Sequence, residues 1–208
     1  STGLPTKTEQ SDLLQALYGH IGEGQVAVVA ASSPGNCFYY AFEAAKIAIE
    51  HMCPVILLTD GYIANGSEVI RIPEVDKLPS ITPRLAKAND PNYAPYRRDE
   101  ETLAREWAVP GTEGLRHRIG GLEKENITGN VSHNPENHQL MATLRDEKIS
   151  RIANYIPSQK VEGDEEGDLL IVGWGGTYGA LCNSLSSIKK QFPDKKIGLC
   201  HFNYINPL

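Results

Sequence analysis

Two short apolar runs, separated by a segment long enough for one helix, constrain the fold of this chain most. The first, "QVAVVAA", covers residues 25–31, and the second, "PVILLTD", covers residues 54–60. A continuous apolar run of this length is typical of a strand buried on both faces. A strand, a helix and a strand in close succession form a βαβ unit, which contains a parallel sheet. The sequence therefore predicts an α/β fold.

Helical periodicity predicts the remaining regular elements of this first region. The segment between the two runs is expected to be a helix that Asn36 caps. Its buried stripe is predicted to consist of Phe38, Phe42, Ala45, Ile49 and Met52. An earlier helix is predicted over residues 11–18, preceded by a capping box at Thr6 and Glu9.

A second strand–helix–strand pattern lies near the end of the chain. The run "DLLIVGWGG" at residues 168–176 and the run "KKIGLCHF" at residues 195–202 are predicted to be buried strands, with a helix over residues 177–192 between them. The acidic segment "KVEGDEEG", residues 160–167, reads as a linker. We therefore expect three parts. The first is residues 1–75, the second is a Pro-rich connector that also contains a helix and spans residues 76–160, and the third is a further α/β unit that spans residues 161–208.

The connector itself shows little periodicity. Residues 66–137 are interrupted by Pro73, Pro79, Pro83, Pro91, Pro95 and Pro110, which disfavours long helices and strands. A short helix is nevertheless predicted over residues 100–107. A better helix is predicted to begin at Pro135, with a buried face made of Leu140, Leu144, Ile149 and Ile152.

Composition excludes several classes of function. The chain has 208 residues, a net charge of −6 and an apolar fraction of 40%, and both signs of charge are scattered along it. No basic stripe or cluster indicates binding to nucleic acid or to a membrane surface. The four cysteines contain no C-x-x-C pair, so reduced thiols in a cytoplasmic protein explain them best.

Several local motifs could carry chemistry, and each has a structural alternative. Gly173–Gly179 follows a strand and opens a helix, as a dinucleotide-binding turn does, but its glycines fit that motif only loosely, and a tight turn with close packing explains it better. Asp60 and Gly61 stand at the carboxyl end of a predicted strand, where open α/β sheets place ligands, or else form a simple turn. Tyr62 and Asn65 follow them.

Three other groups of side chains are weaker candidates. Cys37 begins a predicted helix, a position that lowers a thiol pKa and suits a nucleophile. The cationic cluster at 116–118, with Lys124, could bind an anion or could form surface ion pairs. His133 and His138 straddle a proline, which gives poor geometry for a metal.

The first residues form the candidate site that is richest in hydrogen-bond donors. Ser1, Thr2 and Thr6 carry hydroxyls, and the Gly3 amide is free to approach a ligand. A loop of this kind before a capped helix suits a carboxylate or a phosphate, because helix N-termini favour negative charge. An ordinary capping segment is the alternative.

Four stretches together carry a family resemblance. They are "STGLPTKTEQSDLLQALYGHIGEG", "PVILLTDGYIANGSE", "GLRHRIGGLEKENITGNVSHNPENHQ" and "HFNYINPL". In combination they resemble the α subunit of 2-oxoacid:ferredoxin oxidoreductases, particularly the 2-oxoglutarate type. The resemblance covers nearly all of the chain. It implies the C-terminal part of a parallel-sheet thiamine pyrimidine-binding domain, followed by the start of a transketolase C-terminal-like α/β domain.

The resemblance also implies an activity and its cofactors. Enzymes of this family convert a 2-oxoacid and CoA to acyl-CoA and CO2, using thiamine diphosphate with Mg and passing electrons through iron–sulfur clusters to ferredoxin. A β subunit binds the diphosphate, the Mg and the clusters, and αβ units are expected to form a homodimer. By resemblance, Ser1, Thr2, Gly3, Leu4, Pro5 and Thr6 lie beside the substrate carboxylate, and no residue of this chain is expected to be catalytic.

The same resemblance leads us to expect a fragment that is inactive alone. In the family, the Glu that protonates the aminopyrimidine and a substrate-binding Arg precede the S-T-G-L-P-T segment, with which this sequence begins. Two alternatives of other classes remain. One is a noncatalytic assembly module that grips a partner subunit through its Pro-rich middle, and the other is an amidotransferase-like hydrolase that depends on Cys37.

Overall fold

Two small three-stranded sheets organise the part of the chain that the structure describes. The structure is a computed structural model, and it describes residues 12–19 and 23–208. The first sheet has the strand order β2-β1-β6, and the second has the order β3-β5-β4. The α/β class predicted from the sequence is confirmed.

The regular elements are few and short. The helices are α1 (Asp12–Tyr18), α2 (Cys37–Glu50), α3 (Gly61–Asn65), α4 (Pro135–Ser150) and α5 (Tyr178–Gln191). The strands are β1 (Ala27–Ala30), β2 (Val55–Leu58), β3 (Val161–Gly163), β4 (Leu169–Trp174), β5 (Ile197–Phe202) and β6 (Tyr204–Asn206).

The first sheet contains the predicted βαβ unit. β1 and β2 pair in parallel from Ala27 opposite Val55 to Ala30 opposite Leu58, with α2 as the crossover. β1 is buried along its whole length, as its continuous apolar run predicts. β6 pairs with the other side of β1 in the antiparallel sense, which the sequence did not predict.

Helices cover both faces of the first sheet. On one face, α2 and the end of α4 pack against β1 around Val29, Ile47 and Ile149. On the other face, Ala16 of α1 packs against Val28. The sheet is therefore the middle layer of three, and this explains why its central strand carries no polar side chain.

The buried face predicted for α2 is partly wrong. Phe38 is 45% exposed and Ala45 is also exposed, whereas Tyr40, Ala44 and Ile47 pack against the sheet. The sequence of α2 carries apolar residues on more than one face, so periodicity alone does not select the face that meets β1.

Two predictions about the connector and α4 also need correction. The face of α4 is wrong at Leu140, which is 43% exposed, because its neighbour Met141 is buried instead. Residues 100–107 form no helix. Asp99 accepts hydrogen bonds from the Thr102 amide and hydroxyl, and Leu103 has a φ of 56°, which an α-helix does not allow.

The second sheet is smaller and is covered by α5. β4 and β5 pair in parallel as predicted, and Leu185 of α5 packs on Ile197 and Leu199. Part of the predicted acidic linker forms β3, which pairs antiparallel with β5. β4, predicted to be buried, lies at the edge of the sheet, and its Val172 is 60% exposed.

A single residue joins the two sheets. β5 belongs to the second sheet and β6 to the first, and only Asn203 lies between them. The Ala30 amide donates to the Asn203 carbonyl at 2.7 Å, and the Asn203 side-chain amide donates back to the Ala30 carbonyl at 2.8 Å. The end of β5 is thus fixed to the end of β1.

The connector is irregular in backbone but ordered by side chains. Within the described chain, residues 66–134 contain one short 3-10 turn at Val75–Lys77 and isolated bridges such as Lys124 with Val131. Lys124 is only 2% exposed. Its ammonium donates to the carbonyls of Gly120, Gly121 and Leu122 at 2.6, 2.7 and 2.8 Å, which closes this loop around a buried charge.

This arrangement predicts that Lys124→Met opens the loop. Three carbonyls would lose their charged donor, and we expect the local opening free energy to fall by about 2–4 kcal/mol. Amide hydrogen exchange of residues 118–126 measures this. Lys87→Met, at an exposed position of the same connector, is the control and should leave the exchange unchanged. Equal exchange in both variants would contradict the assignment.

Candidate functional site

The carboxyl ends of β1 and β2 lie at the same edge of the first sheet, as parallel pairing requires. Two loops follow them, residues 31–36 and residues 59–68. An open cavity of about 900 Å³ lies here, and the residues that line it are Pro34, Asp60, Gly61, Tyr62, Asn65, Gly66, Ser67 and Glu68. This is the place where open α/β sheets bind ligands, and it brings together the predicted Asp60, Tyr62 and Asn65.

Asn36 shapes the first loop, though not as predicted. It occupies the N-cap position of α2, but its side chain makes no capping hydrogen bond. Instead, its side-chain oxygen accepts from the amides of Ser32 and Ser33, both at 3.0 Å, and its amide donates to the Ser32 hydroxyl at 2.6 Å. The Asn36 side chain therefore holds this turn together through its hydrogen bonds to Ser32 and Ser33.

Glu68 ties the second loop to the first. Its carboxylate accepts from the Gly35 amide at 2.6 Å. Hydrogen bonds from the Ser33 side chain and the Gly35 amide hold the pKa of Glu68 below its usual range. A Cβ on Gly35 would lie 2.3 Å from Ile70, so the approach requires glycine. Sequence reasoning missed Glu68, because the contact spans 33 residues and leaves no local pattern.

Asp60 lies two residues after β2 and makes two contacts. One carboxylate oxygen accepts from the Ile63 amide at 2.8 Å and caps α3. The other accepts from the Gly176 amide at 3.1 Å, a residue of the second α/β unit. The turn predicted by Asp60 and Gly61 is therefore present, and its carboxylate also reaches the second sheet.

The glycine-rich turn at 173–179 has the structure of a close-packed turn. A Cβ on Gly173 would lie 2.1 Å from the side chain of Leu181, so glycine here permits close contact between strand and helix. The Gly176 amide, which would face a phosphate in a nucleotide site, donates to Asp60. The tight-turn interpretation explains these contacts, and the dinucleotide interpretation does not.

Cys37 does not have the properties of an activated nucleophile. Burial, together with the nearby carboxylates of Asp60 and Glu68, raises the pKa of its thiol. The expectation that the helix N-terminus lowers this pKa is therefore wrong. The Cys37 thiol instead donates to the Ser33 carbonyl at 3.4 Å and supports the first loop.

The cationic cluster of the connector does not include Lys124, because that ammonium is buried and donates to three carbonyls. Arg116 and Arg118 are exposed, and between them His117 shares a hydrogen bond with the Leu115 carbonyl at 2.8 Å. The predicted anion site consisted of residues 116–118 and Lys124. Of these, Lys124 is buried and has a structural role instead.

His138 lies between two carboxylates rather than beside His133. Its ring nitrogens approach Glu23 at 3.0 Å and Glu123 at 2.6 Å, and Arg145 also contacts Glu123. Among the residues that the structure describes, no three His, Cys, Asp or Glu side chains form a group that could hold a metal. His138 therefore forms an ion pair that joins the entry of β1 to the connector and α4.

We expect this contact to weaken as the pH rises. The hydrogen bond to Glu123, with a further contribution from the charge of Glu23, raises the pKa of His138 above its ordinary value of about 6.5. The stabilisation is therefore complete below about pH 6.5 and is lost as the pH rises through the higher folded-state pKa. Histidine hydrogen–deuterium exchange, read by mass spectrometry, measures this pKa.

The controls for this experiment lie on the same surface. Glu123→Gln should return the His138 pKa towards its ordinary value, whereas Glu136→Gln, at an exposed position of α4, should leave it raised. A His138 pKa at or below about 6.5 in the unsubstituted protein would contradict the ion pair.

The predicted substrate loop lies outside the described residues. Ser1, Thr2, Gly3, Leu4, Pro5 and Thr6, and the capping box at Thr6 and Glu9, all belong to residues 1–11. The helix that follows them is observed as α1, which begins at Asp12. In the parts of the chain that are described, no helix is long and apolar enough to cross a membrane.

Comparison with known proteins connects this architecture to a family and to specific relatives. The family model for the pyruvate flavodoxin/ferredoxin oxidoreductase, thiamine diphosphate-binding domain, matches residues 1–136. The 2-oxoglutarate oxidoreductase subunit KorA of Mycobacterium tuberculosis is 52% identical over 209 residues, which cover all of this chain and 31% of the relative. The 2-oxoglutarate synthase subunit KorA of Methanothermobacter thermautotrophicus is 27% identical over 196 residues, which cover 92% of this chain and 49% of that relative.

A solved structure has the same fold over the whole chain. The 2-oxoglutarate:ferredoxin oxidoreductase of Magnetococcus marinus, described with 2-oxoglutarate, coenzyme A and succinyl-CoA bound, matches with a TM-score of 0.89 and 29% identity, covering 100% of this chain and 36% of that one. The chain thus spans about a third to a half of the length of these relatives. With its first 136 residues matched by the family model, the chain belongs to the thiamine diphosphate-binding family of pyruvate flavodoxin/ferredoxin oxidoreductases.

Proposed function

We propose that this chain is part of the α subunit of a 2-oxoacid:ferredoxin oxidoreductase that acts on 2-oxoglutarate. The reaction would convert 2-oxoglutarate and CoA to succinyl-CoA and CO2, with two electrons passing to ferredoxin. The observation that carries this proposal is the 52% identity to a 2-oxoglutarate oxidoreductase subunit across the entire chain. The bound molecules named for the Magnetococcus marinus structure support the same substrate and product.

Thiamine diphosphate would supply the carbanion chemistry at the keto carbon. The described residues do not fit its diphosphate and Mg, because they contain no cluster of metal-binding side chains and because the Gly176 amide donates to Asp60. The Lys124 ammonium likewise donates hydrogen bonds to three carbonyls of its own loop. We therefore assign the diphosphate, the Mg and the iron–sulfur clusters to a partner β subunit and derive no step through them.

The role proposed for this chain is to bind and orient the substrate. The hydroxyls of Thr2 and Thr6 and the amide of Gly3 would donate hydrogen bonds to a substrate carboxylate, with Ser1, Leu4 and Pro5 shaping the loop. Charge-assisted hydrogen bonds of this type are among the stronger contacts available to a protein. Their purpose would be to hold the keto carbon in place against the cofactor.

The proposal extends to organisation and location. Residues 1–75 would belong to the pyrimidine-binding domain, residues 76–160 to the connector, and residues 161–208 to the next α/β domain. Two αβ units would form the homodimer. The four free cysteines support a cytoplasmic, reducing location.

An assay of the full-length α subunit assembled with its β subunit tests this function. We expect viologen reduction that requires both 2-oxoglutarate and CoA and is much slower with pyruvate. Thr2→Val and Thr6→Val each remove one hydroxyl at nearly constant volume, and each should raise the KM for 2-oxoglutarate about tenfold, since one hydrogen bond to a charged group is lost.

The control variants separate the alternatives. Thr143→Val, on the exposed face of α4, should leave KM and kcat unchanged. Cys37→Ala should also retain turnover, whereas the hydrolase alternative requires that it abolish activity. An assembled complex that oxidises no 2-oxoacid would instead support the assembly module.

A further inference from the structure

The turn that leads from β4 into α5 is held from outside its own unit. Gly175 and Gly176 follow β4 directly, and Gly176 is hydrogen-bonded to Asp60, which lies two residues after β2 of the first sheet. The two positions are 116 residues apart in sequence. A contact of this kind fixes the second sheet against the edge where the candidate cavity lies.

Asp60 serves two separate donors with its two oxygens. Its Oδ1 accepts from the Ile63 amide at 2.8 Å, and its Oδ2 accepts from the Gly176 amide at 3.1 Å. A carboxylate can accept both bonds, whereas an Asn side chain offers one acceptor oxygen. Because Asn is as good an N-cap residue as Asp, its oxygen would keep the bond from Ile63, and the bond from Gly176 is the one that needs the second carboxylate oxygen.

The geometry of the turn is fitted to this carboxylate. A Cβ on Gly176 would lie 2.2 Å from Oδ2 of Asp60, so any larger residue would displace the carboxylate. Gly175 has a φ of 64°, in the left-handed region that glycine adopts at little cost. Backbone amides displayed by such turns attract anions.

The opposite side of the turn is held by a buried histidine. His201 of β5 is 7% exposed, and its Nε2 lies 3.1 Å from the Gly175 carbonyl. Burial lowers the pKa of His201. Because a carbonyl oxygen only accepts, Nε2–H is the donor in this bond. The turn is thus held by His201 from its own sheet and by Asp60 from the other.

We infer that the Asp60 carboxylate is an anion supplied by the chain itself, which binds the turn at Gly175–Gly176 and holds the second sheet beside the candidate cavity. The glycine-rich sequence then has its ligand within the chain, and no external phosphate is needed to explain it. Because Asp60 also lines the cavity and caps α3, this one side chain links the cavity wall to the second unit.

Chemical rescue with formate tests whether the hydrogen bond from the Gly176 amide requires a carboxylate. In the full-length subunit assembled with its partner, Asp60→Ala should speed amide exchange of residues 173–178 roughly 10- to 100-fold, because one charge-assisted hydrogen bond is lost. Sodium formate should restore most of the protection in this variant, since formate can occupy the vacated carboxylate position. Sodium chloride at the same ionic strength should not.

Two further variants complete the experiment. Asp60→Asn retains a capping side chain for α3, so it should expose the turn without loss of α3, and formate should have no effect because the amide fills the space. Asp168→Asn, whose carboxylate accepts from Lys195 and the Lys196 amide within the second unit, should leave residues 173–178 unchanged. Unchanged exchange in both Asp60 variants would overturn the inference. So would an exposed turn in Asp60→Ala that formate does not restore.

Discussion

The passage from β5 to β6 through Asn203 alone is the constraint on which the rest of the structure depends. One residue spans only about 3.5 Å, so the second sheet must begin where the first sheet ends. The pair of hydrogen bonds between Asn203 and Ala30 fixes this junction at the carboxyl end of β1. The carboxyl ends of β2 and β4 are thereby brought together, which places Gly176 within reach of Asp60.

Polar side chains then build the edge of the first sheet, and they do so mainly through backbone groups. Asn36 closes the loop after β1, Glu68 joins that loop to the one after β2, and Asp60 joins both to the second unit. Each of these contacts satisfies amides that regular structure leaves without partners. The same solution recurs in the connector, where Lys124 satisfies three carbonyls that no sheet or helix uses. The irregular segments are therefore ordered without a large core.

The sequence predicted the elements whose signal is local. The apolar runs gave β1, β2, β4 and β5 together with their parallel pairing, and periodicity gave the positions of α2, α4 and α5. It did not select the buried face of α2, because apolar residues occur on several faces of that helix and only the sheet decides between them. It also missed β3 and β6, since three-residue strands are defined by their partners and not by their own sequence.

In the candidate site, too, residues with a local sequence signal could be predicted, and contacts between distant residues could not. Asp60, Tyr62 and Asn65 could be predicted because a polar group at the end of a buried strand is a local signal. Glu68 and the Asp60–Gly176 contact could not, because they join residues 33 and 116 positions apart. The Cys37 pKa was mispredicted for a related reason, since the carboxylates that raise it arrive from later loops.

The family assignment gives the first six residues their proposed importance, and they lie outside the residues described by the structure. The most direct measurement is a structure of the proposed complex of α and β subunits bound to 2-oxoglutarate. Our account predicts that a substrate carboxylate accepts hydrogen bonds from Thr2, Gly3 or Thr6. A substrate held entirely by other residues, with this loop distant from it, would contradict the role that we assign to the chain.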